Sequence, residues 1–412
     1  MLSTFNDRSY RLFFANSLFS DIGHIVFVFT QGWLTLHITD SALWVGVVGG
    51  AYGVGILLFS VLGGVLADRL NRKWLLAGAQ VAEGAVGLAL AGLVAADIVA
   101  LWHMVLGSVL FGAATSVRLP TRHTLILDLV GRNRLLKGTA ASFTSMQVAN
   151  IAGPLIAGLV LKSVDPAFAY VVVVGAAVIA ISSISTITYR KAEREEKRAP
   201  LRDMRDGLRY VLKTPAIRAL LLLAVVVEAF AWSHEWLLPV VAEDVLRIGP
   251  DGLGYMMSIA AAGAVAGTLV ISSVKEFERR GRFLIIAVGT FAVLLAGFSF
   301  SRWFPVSALL LALAYGAAVA YETVLSTIIQ TSVPQGMRGR VLSLQTATWG
   351  LTGIGGFMMG AVATALSVPL AISIGAGVVL LNALRLIPIA SRFDKKEPDA
   401  SAVVTTQVKT TL

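Results

Sequence analysis

Twelve long apolar runs leave this chain few folds to choose from. They lie near residues 11–37, 41–66, 74–96, 100–125, 139–162, 167–188, 216–241, 252–274, 283–301, 304–331, 341–365 and 367–390. A helix needs about 20 apolar residues to cross a bilayer, and each run is close to that length. The connections between most of them are too short to hold a soluble domain. Lipid offers backbone groups no outside partner, so helices are the expected spanning structure. A β-barrel would alternate polar and apolar residues, whereas these runs are continuously apolar. Only 14% of residues are charged, against about 25% in soluble domains. The expected class is an all-α membrane protein with twelve transmembrane helices. The first run is too long for a signal-peptide core and contains Asp21, so it reads as a retained helix.

The net charge of +10 invites a nucleic-acid partner, but the positions of the charges argue against one. Of 34 Lys and Arg, only Lys162, Arg247 and Arg302 fall at the ends of, or in loops after, odd-numbered helices. The opposite side carries Arg69, Arg72 and Lys73; Arg132, Arg134 and Lys137; nine basic residues between Arg190 and Lys213; Lys275, Arg279, Arg280 and Arg282; Arg338 and Arg340; and Arg392, Lys395 and Lys396. This is the positive-inside pattern, and it puts both termini in the cytoplasm. Trp33, Trp44, Trp102, Trp236 and Trp303 fall near expected outer helix ends, as in an aromatic belt.

One long polar insert divides the chain. Residues 1–188 form a first six-helix bundle, 189–214 a cytoplasmic linker, 215–391 a second bundle, and 392–412 a polar tail expected to be disordered. Within the linker, Leu201, Met204, Leu208 and Val211 recur at helical spacing among Arg and Asp. That pattern fits an amphipathic helix on the inner membrane face, with a solvated linker as the alternative. The two bundles echo each other. FGAATSVR at 111–118 matches YGAAVAYE at 315–322, and Arg11 precedes Asp21 by ten residues as Arg218 precedes Glu228. A duplicated six-helix unit is expected.

Few ionisable groups interrupt the apolar runs: Asp21, Glu83, Arg118, Glu228, Glu235 and Glu322. Each costs roughly 3 kcal/mol or more at the bilayer centre, so each should face protein or water. Ser17, Asp21, His24, Gln31 and Thr35 make one face of the first helix polar, a face suited to a water-filled path. Glu228, Trp232 and Glu235 share a face of the seventh, and an acidic aromatic surface suits a cationic or amphiphilic ligand. Asp21, Gln31, Glu228, Trp232 and Glu235 are therefore candidate substrate contacts. Asp21, tuned by His24 one turn away, and Glu228 are candidate proton-coupling groups. Arg118 and Glu322, opposite in charge and related by the repeat, are candidates for an inner gate. The alternative is that Arg118 pairs within its own half and Glu322 with a hydroxyl or backbone group. Glu83 reads as structural. The chain has no cysteine, no metal-ligand spacing, no nucleophile–base pair and no phosphate-cradling GxxxxGKS. No metal, cofactor or enzymatic activity is expected.

The stretch GVLADRLNRK, Gly64–Lys73, resembles the loop between the second and third helices of the major facilitator superfamily, and VKEFERRGR at 274–282 is a weaker second copy. ANIAGPLIAG, 149–158, resembles the helix-5 motif of drug–proton antiporters, with Gly153, Pro154 and Gly158 in place. Together with RLFFANSLFSDIGHIVFVFTQGWL and RDGLRYVLKTPAIRALLLL, these stretches are similar to bacterial twelve-helix exporters of the enterobactin and macrolide efflux type. The resemblance implies two pseudo-symmetric bundles, with helices 1, 4, 7 and 10 lining a central cavity. It also implies an inner-face lock at Gly64, Asp68, Arg69, Arg72 and Lys73, with Asn71 where the superfamily usually has Gly.

The expected function is secondary active export of a small organic molecule, drug-, siderophore- or metabolite-like, by alternating access with proton antiport. The expected setting is the bacterial cytoplasmic membrane, as a monomer whose partners are substrate, protons and lipid, with no nucleic acid. An importer or facilitator and a lysophospholipid translocator on the same fold are the transport alternatives. A membrane receptor is the non-transport one.

Overall fold

A computed structural model describes residues 8–130, 135–187, 200–273 and 279–394. Among the described residues the regular structure is entirely helical, with no strand. The first half comprises α1 (Arg8–Thr39), α2 (Ala42–Arg69), α3 (Arg72–Ala95), α4 (Leu101–Val130), α5 (Leu135–Ser163) and α6 (Ala167–Ser185). The amphipathic α7 (Pro200–Lys213) leads through Thr214 into α8 (Pro215–Val245). Then follow α9 (Gly249–Ser273), α10 (Arg280–Phe300), α11 (Phe304–Ser332), α12 (Gln335–Ala347), α13 (Leu351–Ala365) and α14 (Val368–Arg385). Among the described residues, eleven helices are long and apolar enough to cross a membrane. The expected span at 341–365 is interrupted: a 3-10 turn at Thr348–Gly350 separates α12 from α13, so neither piece alone has a span's length.

Local chemistry sets the helix ends. Asn71 caps α3 by accepting from the Lys73 amide at 3.1 Å, a role glycine could not fill through a side chain. Pro215, Pro305 and Pro369 stand in the first turns of α8, α11 and α14, where the missing N–H has no intrahelical partner to lose. Asp40, Asp97 and Arg247 adopt left-handed backbone and reverse the chain in loops after odd-numbered spans, and Gly249 does so at the first residue of α9.

The first six helices pack among themselves, chiefly α1 on α5 and α6, α3 on α4 and α6, and α2 on α4. In the second half α11 packs on α9 and α10, and α14 on α10 and α13. Asn16 ties α1 to α3 and α6 by donating to Gln80 Oε1 at 3.0 Å and to the Ala180 carbonyl at 2.8 Å.

Two crossings join the halves, and glycine makes both possible. A Cβ on Gly46 of α2 would lie 2.4 Å from the Gly356 carbonyl oxygen of α13. One on Gly353 would lie 2.3 Å from the Gly49 oxygen. In the other crossing, a Cβ on Gly158 of α5 would lie 2.5 Å from the Pro250 oxygen, and one on Gly254 of α9 would lie 2.5 Å from the Pro154 oxygen. The helix-5 motif thus packs α5 onto α9, while Gly153 receives Ile25 of α1. Ser258 of α9 donates to the Ile151 carbonyl at 2.7 Å, and Lys162 meets Asp251 at 2.6 Å. These contacts cluster toward the end of the molecule that holds the poorly charged loops after α1 and α5. At the opposite, basic end the first half has a small core of its own, including Phe13, Leu76, Leu125 and Ile184, separate from the main cluster.

Candidate functional site

Two polar clusters lie inside the bundle, one in each half. The first joins α1, α3 and α4. Arg118, fully buried, donates from Nε to Glu83 Oε1 at 2.8 Å and from Nη1 to Asp21 Oδ1 at 3.2 Å. Arg122, one turn further along α4, holds both oxygens of Asp21 through Nη1, at 2.6 and 2.7 Å. Thr115 adds a hydroxyl to Glu83 at 3.1 Å. Two guanidiniums thus face two carboxylates, and the network is charge-balanced. Burial makes that balance necessary, since an unpaired charge here would keep its full desolvation penalty. His24 stands beside it, 3.5 Å from the Tyr52 hydroxyl through Nε2 and with its ring 5.8 Å from that of Phe111.

The second cluster is acidic. Glu228 of α8 accepts from Thr352 Oγ1 of α13 at 2.8 Å, and Glu235 accepts from the Tyr315 hydroxyl of α11 at 2.8 Å. Glu228 lies close enough to Glu322 and Glu235 to feel their charges. The Trp232 indole N–H is buried and has no hydrogen-bond partner among the described residues. Among the described residues no Lys, Arg or His makes an ion pair with any of the three. Trp232 lies between Tyr315 and Phe291, with ring centroids 5.1 and 5.5 Å away.

The irregular course of α8 positions these groups. It changes from α-helix to a π turn at Val227–Ala231 and then to 3-10 at Trp232–Leu237. Pro239 has no N–H to give the Glu235 carbonyl, which instead accepts from Leu238 in the tighter pattern. Single-turn π segments frequently mark functional sites.

Trp236 fills the α2–α13 crossing. A Cβ on Gly49 would fall 2.4 Å from its ring and one on Gly356 2.7 Å from it, and Tyr52 lies beside it at 6.0 Å between centroids.

The sequence-derived candidates therefore separate. Asp21, Arg118 and Glu83 come together, joined by Arg122, while Glu228, Trp232, Glu235 and Glu322 form the other group. Arg118 and Glu322 are not brought together: Arg118 spends its donors within the first half. Gln31 lies away from both clusters, accepting from Tyr170 at 3.1 Å and donating to the Met104 carbonyl at 3.3 Å, so it ties α1 to α4 and α6. Arg72 pairs with Asp128 of α4, and Lys73 donates to the Ser185 and Ile187 carbonyls at 2.7 Å each. Both therefore brace the first half internally. The environments of Gly64, Asp68 and Arg69 lie outside the described residues, as do the linker and tail at 188–199 and 395–412. Arg122 is the main residue absent from the sequence-derived set. It stands near the end of an apolar run, where a basic residue is ordinary, and its four-residue spacing from Arg118 is the signal that marks it.

The profile of a family described as "Transmembrane secretion effector" matches residues 1–409. The enterobactin exporter EntS of Escherichia coli O81 (strain ED1a) is 26% identical over 375 residues, covering 87% of this chain and 86% of that protein. Among solved structures, the nucleoside transporter NupG superposes with a TM-score of 0.74 at 16% identity, over 94% of this chain and 100% of that one. A bacterial homologue of the human lysosomal transporter Spinster, inward-facing and unoccupied, gives 0.72 at 13% identity, over 95% and 99%. At those identities the structures establish the fold alone. The chain is a multi-pass membrane transporter of the transmembrane secretion effector family, within the major facilitator superfamily.

Proposed function

We propose that this transporter exports a small organic molecule from the bacterial cytoplasm by alternating access, in exchange for protons. The observation that carries the reading is the carboxylate group formed by Glu228 and Glu235 on the distorted α8 and Glu322 on α11, beside Trp232 and Tyr315 and without an ion-pair partner among the described residues. Three carboxylates without a cation demand positive charge, which either protons or a cationic ligand can supply. Mutually exclusive occupancy by the two is the condition for antiport. Asp21 differs, because two guanidiniums already satisfy it. Protonating it would strand Arg122, so we place the coupling protons at Glu228, Glu235 and Glu322 and give Asp21, with His24 beside it, a supporting role.

Three further observations support this reading. The inter-half contacts gather at the end opposite the basic loops, as expected of a state closed outside and open to the cytoplasm. A relative of similar length is an exporter. The positive-inside pattern orients both termini toward the cytoplasm.

The test is uptake into inside-out vesicles, with enterobactin and an aromatic organic cation as probes. Uptake that accelerates when the lumen is acidified supports proton-coupled export. Uptake that ignores the gradient removes the coupling, and the absence of uptake for both probes removes these substrate classes.

A further inference from the structure

The linker helix α7 has three sectors. The first faces protein. Val211 is buried, a Cβ on Gly207 would sit 3.1 Å from Cβ of Arg340 on α12, and Asp206 lies 3.7 Å from Arg340 Nη1. The second is apolar and uncovered among the described residues: Met204, Leu208 and Leu212, at four-residue spacing, are 43%, 49% and 56% exposed. The third follows one residue later on the same spacing. Arg205, Arg209 and Lys213 are all exposed and lie about 100° further round the helix.

The position of α7 identifies what covers the apolar sector. The helix joins the α8 span through Thr214 and Pro215, so it sits at the level of the bilayer surface, at the end that carries the basic loops. A cationic sector beside an apolar one at that level fits acyl chains under anionic headgroups. Arginine suits such headgroups because its planar fork matches phosphate oxygens. The one acidic residue described on the exposed turns, Asp206, is directed at Arg340, so it does not oppose the basic sector.

We propose that α7 is a binding helix for anionic phospholipid, with Met204, Leu208 and Leu212 in the acyl region and Arg205, Arg209 and Lys213 on the phosphates. The helix also touches both halves at the basic end, α2 on one side and α12 on the other. Its seating on lipid is therefore linked to the movement of one half against the other. This inference needs only the membrane orientation and is independent of the exported substrate.

The absence of cysteine in the chain permits a direct test on the full-length protein. Single Leu208→Cys and Arg209→Cys variants carry a nitroxide and are reconstituted in phosphatidylcholine with or without phosphatidylglycerol. With phosphatidylglycerol, the label at position 208 becomes accessible to oxygen and protected from a water-soluble nickel chelate, while the label at 209 stays at headgroup depth. Each basic residue should contribute roughly fivefold to the lipid preference. The variant Arg205→Gln/Arg209→Gln/Lys213→Gln, read at position 208, should lose the phosphatidylglycerol response. A label at 208 that stays in water in both lipids overturns the proposal. So does a triple variant that responds as the unsubstituted background does, with its thermal unfolding unchanged.

Discussion

Arg122 holds Asp21 by both carboxylate oxygens through a single nitrogen, at 2.6 and 2.7 Å. With Arg118 and Glu83 this makes the first-half network neutral, and neutrality is what makes its burial tolerable. Removing one member of a buried pair costs about 3–5 kcal/mol because the other is left uncompensated. Asp21→Asn and Arg122→Gln should each lower the unfolding temperature sharply in detergent. The double variant should lose less than the sum of the two, with a coupling of roughly 0.5–3 kcal/mol. Additive losses would show that the contact contributes no stability.

The α2–α13 crossing depends on the absence of side chains. A Cβ at Gly46 would meet the Gly356 carbonyl oxygen at 2.4 Å, and backbone cannot rotate away. Gly46→Val should therefore destabilise the state closed at this end by about 1–3 kcal/mol, the usual cost of overpacking. That corresponds to roughly five- to 150-fold in population. A single cysteine at Ala42 should then react faster with an impermeant maleimide, and transport should fall. Unchanged labelling would place the closure elsewhere.

Lys162 and Asp251 join α5 to α9 at the same end. Lys162 is largely exposed, so the pair should bias the conformational equilibrium rather than stabilise the fold. Lys162→Asp and Asp251→Lys should each slow transport with little change in unfolding temperature, and the exchanged pair should recover most of the rate. Failure of the exchanged pair to recover would assign the single defects to something other than this contact.

Gly158 and Gly254 predict a similar sensitivity on the other crossing. Each would place a Cβ 2.5 Å from a carbonyl oxygen of the partner helix. Gly158→Val should weaken the α5–α9 contact and lower the transport rate by about tenfold or more, on the same overpacking cost. Rates in proteoliposomes check this, and an unchanged rate would mean that the crossing stays closed throughout the cycle.

Much of this arrangement is legible in the chain. The apolar runs mark the spans, and the repeat marks two related halves. Gly158 of the helix-5 motif lies at the α5–α9 crossing, opposite Gly254. The remainder is hidden for physical reasons. Glu228, Trp232 and Glu235 fall on one face of a regular helix, but the π and 3-10 turns rotate that face, and Pro239 marks only the 3-10 end of the distortion. Gln31 belongs to the polar stripe of α1 by spacing, yet it stands ten residues, about 15 Å, further along the axis than Asp21, where Tyr170 uses it. Glu83 reads as peripheral because its partner, Arg118, is on another helix, and periodicity within one helix cannot pair them. The break at Thr348–Gly350 has no proline to announce it.

The coupling protons proposed for this transporter reside on the acidic cluster of the second half. The most direct measurement compares two modes of transport in proteoliposomes, acid-gradient-driven uptake and gradient-free substrate exchange. The variants are Glu228→Gln, Glu322→Gln and the charge-balanced Asp21→Asn/Arg122→Gln. Glu228→Gln and Glu322→Gln should lose gradient-driven uptake while retaining exchange, and the balanced pair should still respond to the gradient. Gradient-driven uptake that survives both glutamate changes and disappears in the balanced pair would contradict this assignment and return the coupling to Asp21.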